Sequence, residues 1–337
     1  MGIKPLKAME SPEDQRARQI LEQTTQRTAS GRFECGLLWK CDVIDFPISY
    51  AMAERCLVCL ENKLSKDKGL KANIVDQIGE YLERGYAHKA TEDELCNTDP
   101  RCVWYLPLGI VRNPHKPEKV RIVWDAAARV GDVSLNTMLL TGPDLLTPLL
   151  KVIFGFRQRQ YTAVGDVRQM FHQLLVRQTD RQAQRFLFRS EPEEEPTVYV
   201  MDVVIFGASC SPCLAQYVKN INAKEFEKLY PEASSAIVNN TYVDDFLDSR
   251  DTIEETVRII EEVRWIFDKA GFEICKWQSN SEEVLRRVGV DVIETAKRFT
   301  AEKSTIAERV LGMSWIPKTD LLVFATQFRR DLQPLLS

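Results

Sequence analysis

The sequence predicts an α+β chain built around one β-α-β-β-α-β unit, and three stretches predict it. Tyr161–Asp166 reads as a short strand. Ser211-Pro212 opens a helix reaching about Leu229, with Ser as the cap and Pro at the first helical position. The third stretch is continuous. Ile237–Val243 and Phe246–Asp248 are two strands meeting in a tight turn at Asp244-Asp245, a helix covers 253–270, and Phe272–Trp277 is the closing strand. Thr252 and Glu255 form a capping box for that helix, Ile253, Val257, Ile260, Val263 and Phe267 line one face, and Gly271 ends it. Without the inserted hairpin of 186–189 and 197–206, this order is the split βαβ, or ferredoxin-like, unit.

The elements before it are plainer. The first 45 residues are polar with little periodicity and read as an arm. A helix over about 49–66 places Met52, Cys56, Cys59, Leu60 and Leu64 on one face. Another over about 70–84 turns Leu70, Ile74, Ile78, Tyr81 and Leu82 inward, with Gly85 as its stop. Tyr105–Val111 and Val120–Trp124 then flank Asn113-Pro114-His115-Lys116-Pro117 as a hairpin with a basic tip.

Composition excludes several classes. Of the 337 residues, 44% are hydrophobic and 28% charged, which is globular rather than disordered or fibrous. No run of 18 apolar residues exists to span a membrane, and the charged first 30 residues exclude a secretory signal. Nine cysteines with no export signal read as reduced thiols and a cytoplasmic location, leaving nuclear access open. Net charge is −4, yet residues 101–190 hold 14 Lys/Arg against 6 Asp/Glu. That block reads either as a phosphate-binding face or, for Arg181, Arg185 and Arg189, as a solvated surface.

The topology brings Asp166, at the end of the first strand, close to Asp244 and Asp245 in the turn between the second and third, with the second strand expected beside the first. Three carboxylates at one sheet edge repel one another unless a divalent cation joins them. Two such ions are the apparatus of in-line phosphoryl transfer.

The strings around these acids resemble a known family. Tyr242-Val243-Asp244-Asp245 is similar to the YxDD motif of reverse transcriptases, and neighbouring motifs follow in the family's order across roughly residues 101–324. Val123-Trp124-Asp125-Ala126-Ala127, Gly142-Pro143-Asp144-Leu145, Met170-Phe171-His172-Gln173 and Gly207-Ala208-Ser209-Cys210-Ser211-Pro212-Cys213 resemble the polymerase region of BEL/Pao-type LTR retrotransposons. The resemblance implies a right-hand polymerase. It would comprise an N-terminal helical segment (46–100), fingers (101–160), a palm (161–290) with an inserted fingers hairpin (173–200), and a primer grip with the start of a truncated thumb (291–337).

It also implies roles. Asp166, Asp244 and Asp245 match the acids that bind Mg²⁺ or Mn²⁺. Phe171 matches the aromatic gate that rejects a ribose 2′-OH. Arg121 and Arg112 match cations holding the incoming triphosphate, whose planar guanidinium suits phosphate oxygens. Phe206-Gly207 matches the close approach of backbone to nucleotide and template. Lys276 matches a lysine proposed to protonate departing pyrophosphate, and Leu311-Gly312-Met313-Ser314-Trp315 resembles the primer grip. The implied partners are an RNA or DNA template with its primer, dNTPs, and other retrotransposon polyprotein products, with no membrane.

Other signals are weaker. Cys56-x-x-Cys59 and Cys210-x-x-Cys213 lie far apart with only three histidines in the chain, so zinc is not expected. His172 reads as a structural or template-side residue. Asn239-Asn240-Thr241 matches a glycosylation sequon on an expected buried strand, and Asp202 and Asp248 fall away from the expected sheet edge. Few residues follow the primer-grip string, so a rival reading is a truncated or host-retained fragment that binds nucleic acid or partners without turnover. A metal nuclease is a third, which explains neither Phe171 nor the fingers arginines.

Overall fold

The computed structural model describes residues 10–113, 116–290, 308–310, 313–317 and 321–323. It is a mixed α+β structure dividing into two compact units. One comprises residues 1–145, 169–221 and 269–271; the other comprises 146–168, 222–268 and 272–337. Among the described residues no helix is long and apolar enough to cross a membrane.

The first unit contradicts the expectation of a polar arm. Pro12–Thr24 is a helix whose Ser11 cap accepts from the Asp14 N–H and whose first turn holds Glu13 and Asp14. It buries Ala17 and Leu21, and Phe33, Cys35, Leu37 and Leu38 downstream are also buried. The helix Tyr50–Leu64 buries Ala53, Leu57, Leu60 and Leu64, a face rotated from the expected one, with Cys59 exposed. Lys68–Glu83 buries Leu70, Ile74, Ile78 and Tyr81 as expected, while Leu82 is exposed. Each such buried aliphatic side chain contributes roughly 1.5–3 kcal/mol.

Two of the sheets in this unit bear on the candidate residues. One is four-stranded, in the order Ala87–Lys89, Thr197–Met201, Arg185–Phe188, Tyr105–Leu106. The other is a ribbon of Leu108–Asn113 against Lys116–Trp124; its expected basic tip at Pro114 and His115 lies outside the described residues. Arg181, Arg185 and Arg189 do not form a solvated face. Arg185 is 3% exposed and donates to Gln182 Oε1 at 2.7 Å. Arg189 grips Glu61 through two nitrogens at 2.7 and 2.9 Å, and Arg181 reaches Asp202 at 2.8 Å. Cations drawn partly or wholly out of water require such partners, so these three serve the fold.

In the second unit, α1 (Leu149–Phe156) precedes β1 (Tyr161–Val167). The chain then leaves this unit, returns to it at the end of α2 (Ser211–Glu225), most of which belongs to the first unit, and continues through α3 (Pro231–Asn239) to β2 (Thr241–Tyr242). β3 (Asp245–Arg250), α4 (Ile253–Asp268) and β4 (Ile274–Gln278) follow. The Thr252–Glu255 capping box is present, with Glu255 N–H donating to Thr252 Oγ1 at 3.2 Å and Thr252 N–H to Glu255 Oε2 at 3.3 Å. The strand order is β2-β3-β1-β4, antiparallel throughout. β3 therefore lies beside β1, where β2 was expected. The crossover from β1 to β2 leaves a one-strand slot, and the tight β2–β3 hairpin fills it.

Two further expectations change. Residues 237–239 belong to α3, because Pro231 starts a helix that turns Ala233, Ser234, Ala236 and Ile237 inward and leaves only two residues for β2. The sequon asparagine Asn239 accordingly sits at a helix end, donating to the Ser235 carbonyl at 2.9 Å. A second sheet of β5 (Glu308–Val310), β6 (Met313–Ile316) and β7 (Leu321–Val323) covers the expected primer grip, although Leu311 and Gly312 lie outside the described residues. Buried Trp315 packs with Val152, Phe156, Val164 and Leu247, its ring centroid 5.2 Å from that of Phe156.

Candidate active site

Side chains alternate across a strand, and register partners in an antiparallel pair share a face. Val164 pairs with Leu247, and Asp166, two residues on, pairs directly with Asp245. The two carboxylates therefore stand on the face that α1 and Trp315 cover farther along. On its other side Asp166 pairs with Cys275 of β4. Asp244 belongs to the two-residue loop closed by the Tyr242–Asp245 pair, and its carbonyl accepts the Val167 N–H at 2.8 Å. The turn thus ties the third acid to the end of β1. Asp248 points to the opposite face, and it bonds Arg250 and Asn240, both at 2.7 Å.

The backbone around these acids is strained at two places. Val243, first residue of the hairpin loop, has φ +54°, and Lys276 on β4 has φ +51°. A β-branched residue there is an outlier, since this corner of a two-residue hairpin normally requires Gly. Lys276 sits in a bulge where the β1–β4 register shifts, and the bulge aims its side chain back at Asp166: Nζ lies 3.1 Å from Oδ1. Cys275 Sγ is 3.8 Å from the same oxygen.

The acids are hard oxygen donors of the kind that suit Mg²⁺ or Mn²⁺. Among the described residues no group of three or more His, Cys, Asp and Glu is arranged to hold a metal ion. Asp166 has the Lys276 ammonium beside it as a counter-charge.

The first unit holds the other candidate residues. Phe171 lies in a short 3₁₀ turn, Met170–Gln173, with its ring centroid 4.6 Å from that of Phe206. Gly207 has φ +116°, and a Cβ there would meet the Trp124 carbonyl oxygen at 2.6 Å, so only glycine fits. Arg121 is exposed and pairs with Val111, whereas Arg112 pairs with Val120. Successive residues alternate, so the two arginines project from opposite faces of the ribbon. Arg112 is instead drawn to Asp67, the cap of Lys68–Glu83, at 2.6 Å.

Sequence reasoning missed one residue. Asn136 clamps the Gly207 loop, donating through Nδ2 to the Gly207 carbonyl at 2.9 Å and accepting the Ser209 N–H at 2.8 Å. No spacing signal links residues 71 positions apart. Asp202 is structural, shared between Arg181 and His88.

No family model matches the chain, and no curated protein sequence matches it. Solved structures of reverse transcriptases are similar. The foamy viral protease-reverse transcriptase dRH in complex with double-stranded DNA is 18% identical with a TM-score of 0.44, over 67% of this chain and 36% of that one. The foamy viral protease-reverse transcriptase in complex with an RNA/DNA hybrid is 18% identical with a TM-score of 0.46, over 71% and 29%. This chain spans about a third of the length of those solved chains.

Proposed function

We propose that the chain is a reverse transcriptase of the BEL/Pao type, extending a primer by nucleotidyl transfer from a dNTP on an RNA or DNA template. The observation that carries this reading is the register of Asp166 with Asp245, with Asp244 tied to the same strand end. Two paired acids and a third in the adjoining turn are a costly grouping for a fold that makes no use of them.

The roles follow from chemistry. Asp166, Asp244 and Asp245 would hold Mg²⁺ or Mn²⁺, which when bound supplies charge neutralisation at the reacting phosphate. Arg121, exposed on its ribbon, binds phosphate oxygens of the nucleotide. Phe171 and Phe206 form an aromatic wall that excludes a 2′-hydroxyl, and Gly207 admits the backbone close to template and nucleotide. Lys276 Nζ is a proton donor for departing pyrophosphate. Positioning and electrostatics do most of the work, as in phosphoryl transfer generally.

The test is dNTP incorporation on an RNA template with a DNA primer in Mg²⁺, comparing the chain with Asp244→Asn. Incorporation abolished by the substitution supports the reading. Primer–template binding without incorporation supports the rival, a nucleic-acid-binding fragment, and metal-dependent degradation of labelled substrate supports a nuclease.

A further inference from the structure

His172 is 1% exposed, and neither imidazole nitrogen has a hydrogen-bond partner. Burial pushes its pKa down to about 3, with the Arg32 guanidinium acting in the same direction, so the ring is neutral. Burying a polar ring without partners is unfavourable, which asks what the ring does there.

Its contacts answer. The imidazole meets Tyr81, Trp124 and Phe206 edge-on, with interplanar angles of 84°, 83° and 87°, and lies tilted against Tyr86. The Phe206 centroid is 5.0 Å away, and Phe206, 38% exposed, in turn packs on Phe171. Edge-to-face aromatic contacts are directional, so the ring fixes the tilt of Phe206 as well as its depth. The backbone of His172 is pinned too. Its N–H donates to the Gln169 carbonyl at 2.8 Å, and its own carbonyl accepts from Arg32 Nη2 at 2.8 Å. His172 therefore holds Phe171 through the chain and Phe206 through contact, from one buried, backbone-bonded point.

We propose that His172 is a positioning residue that sets the spacing of the Phe171–Phe206 wall and thereby the discrimination between deoxyribo- and ribonucleotides. The proposal rests on the polymerase reading above. It uses the shape of the ring and none of its hydrogen-bonding capacity, so a phenylalanine should serve as well.

The experiment measures kcat and KM for single dNTP and rNTP additions to a primer–template by the wild-type chain, His172→Leu, His172→Phe and Phe171→Ala. His172→Leu fills the core without a flat ring. It is expected to lower the dNTP-to-rNTP ratio of kcat/KM by about tenfold, the equivalent of one aromatic pairing. That change should appear mainly as a lower KM for rNTP, with kcat for dNTP within about threefold. His172→Phe is expected to keep the wild-type ratio. An unchanged ratio in His172→Leu, beside a lowered ratio in Phe171→Ala, overturns the proposal alone. A lowered ratio in His172→Phe also overturns it, because it would show that the imidazole nitrogens matter. A wild-type chain that adds no nucleotide, or an unchanged ratio in Phe171→Ala, overturns the reading beneath it.

Discussion

Asp166 and Asp245 face each other as direct register partners across the antiparallel β1–β3 pair. Like charges placed opposite on one sheet face destabilise the pairing by roughly 0.2–1 kcal/mol. Asp245→Asn is therefore expected to raise the stability of the metal-free chain by that amount while abolishing DNA synthesis. Melting at low and high salt checks it, because screening should shrink the difference. A lower Tm in Asp245→Asn would count against a repulsive pair.

The strain at Val243 makes a second prediction. Val243→Gly removes a β-branched side chain from φ +54° and should stabilise the chain by up to about 1 kcal/mol in urea unfolding. Primer extension should slow at least threefold, since the turn that carries Asp244 would be less rigidly set; strain of this kind concentrates at functional sites. A destabilised Val243→Gly variant would show that the valine earns more by packing than it costs in backbone strain.

Gly207 and Gly131 give a matched contrast. Both have positive φ, but a Cβ at Gly207 would strike the Trp124 carbonyl at 2.6 Å whereas nothing lies within 4 Å of one at Gly131. Gly131→Ala is expected to cost about 1–2 kcal/mol. Gly207→Ala should cost about 2–5 kcal/mol, strain and backbone clash together, with loss of nucleotide incorporation. Equal unfolding free energies for the two variants would contradict the close approach.

Two histidines in the first unit respond to pH in opposite senses. His88 lies 2.7 Å from Asp202 and 3.0 Å from Glu94, and the hydrogen bond to Asp202 leads in raising its pKa to about 9 despite burial. Its folded value lies above the ordinary 6.5, so its contribution is complete below pH 6.5 and is lost as pH rises through 9. After screening this is roughly 1–2 kcal/mol. His172, enclosed by Tyr81, Tyr86 and Trp124 near Arg32, is shifted down, and its contribution is complete above 6.5 and lost as pH falls toward 3. Unfolding titrations should show His88→Gln flattening the alkaline limb and His172→Phe flattening the acid limb. If His88→Gln leaves the alkaline limb unchanged, the carboxylate pairing does not stabilise the charged ring.

Much of the second unit was legible because its signals are local. The Thr252–Glu255 box, the apolar face ending at Phe267 and the paired acids in a tight turn each lie within a few residues. β2 is shorter than the sequence suggests because, although Ile237 and Val238 favour strands, Pro231 and the small residues of α3 favour a helix, and packing decides. The helix after Ser11 carried a cap signal, but its two buried residues are too few to produce a visible period. Arg185 looked solvated because nothing local reveals that Gln182 and a sheet enclose it. The Lys276–Asp166 contact depends on a bulge, which spacing does not report.

The central claim is that the acids at this sheet end perform nucleotidyl transfer. The most direct measurement is single-nucleotide addition to a radiolabelled DNA primer on an RNA template in Mg²⁺, with wild type, Asp166→Asn and Asp245→Asn at equal primer–template occupancy. The account predicts addition by the wild type and a loss of at least about a hundredfold in each variant, with the melting temperature of Asp245→Asn at or above that of the wild type. Addition that persists in both variants, or a wild-type chain that binds primer–template and adds nothing, would contradict it.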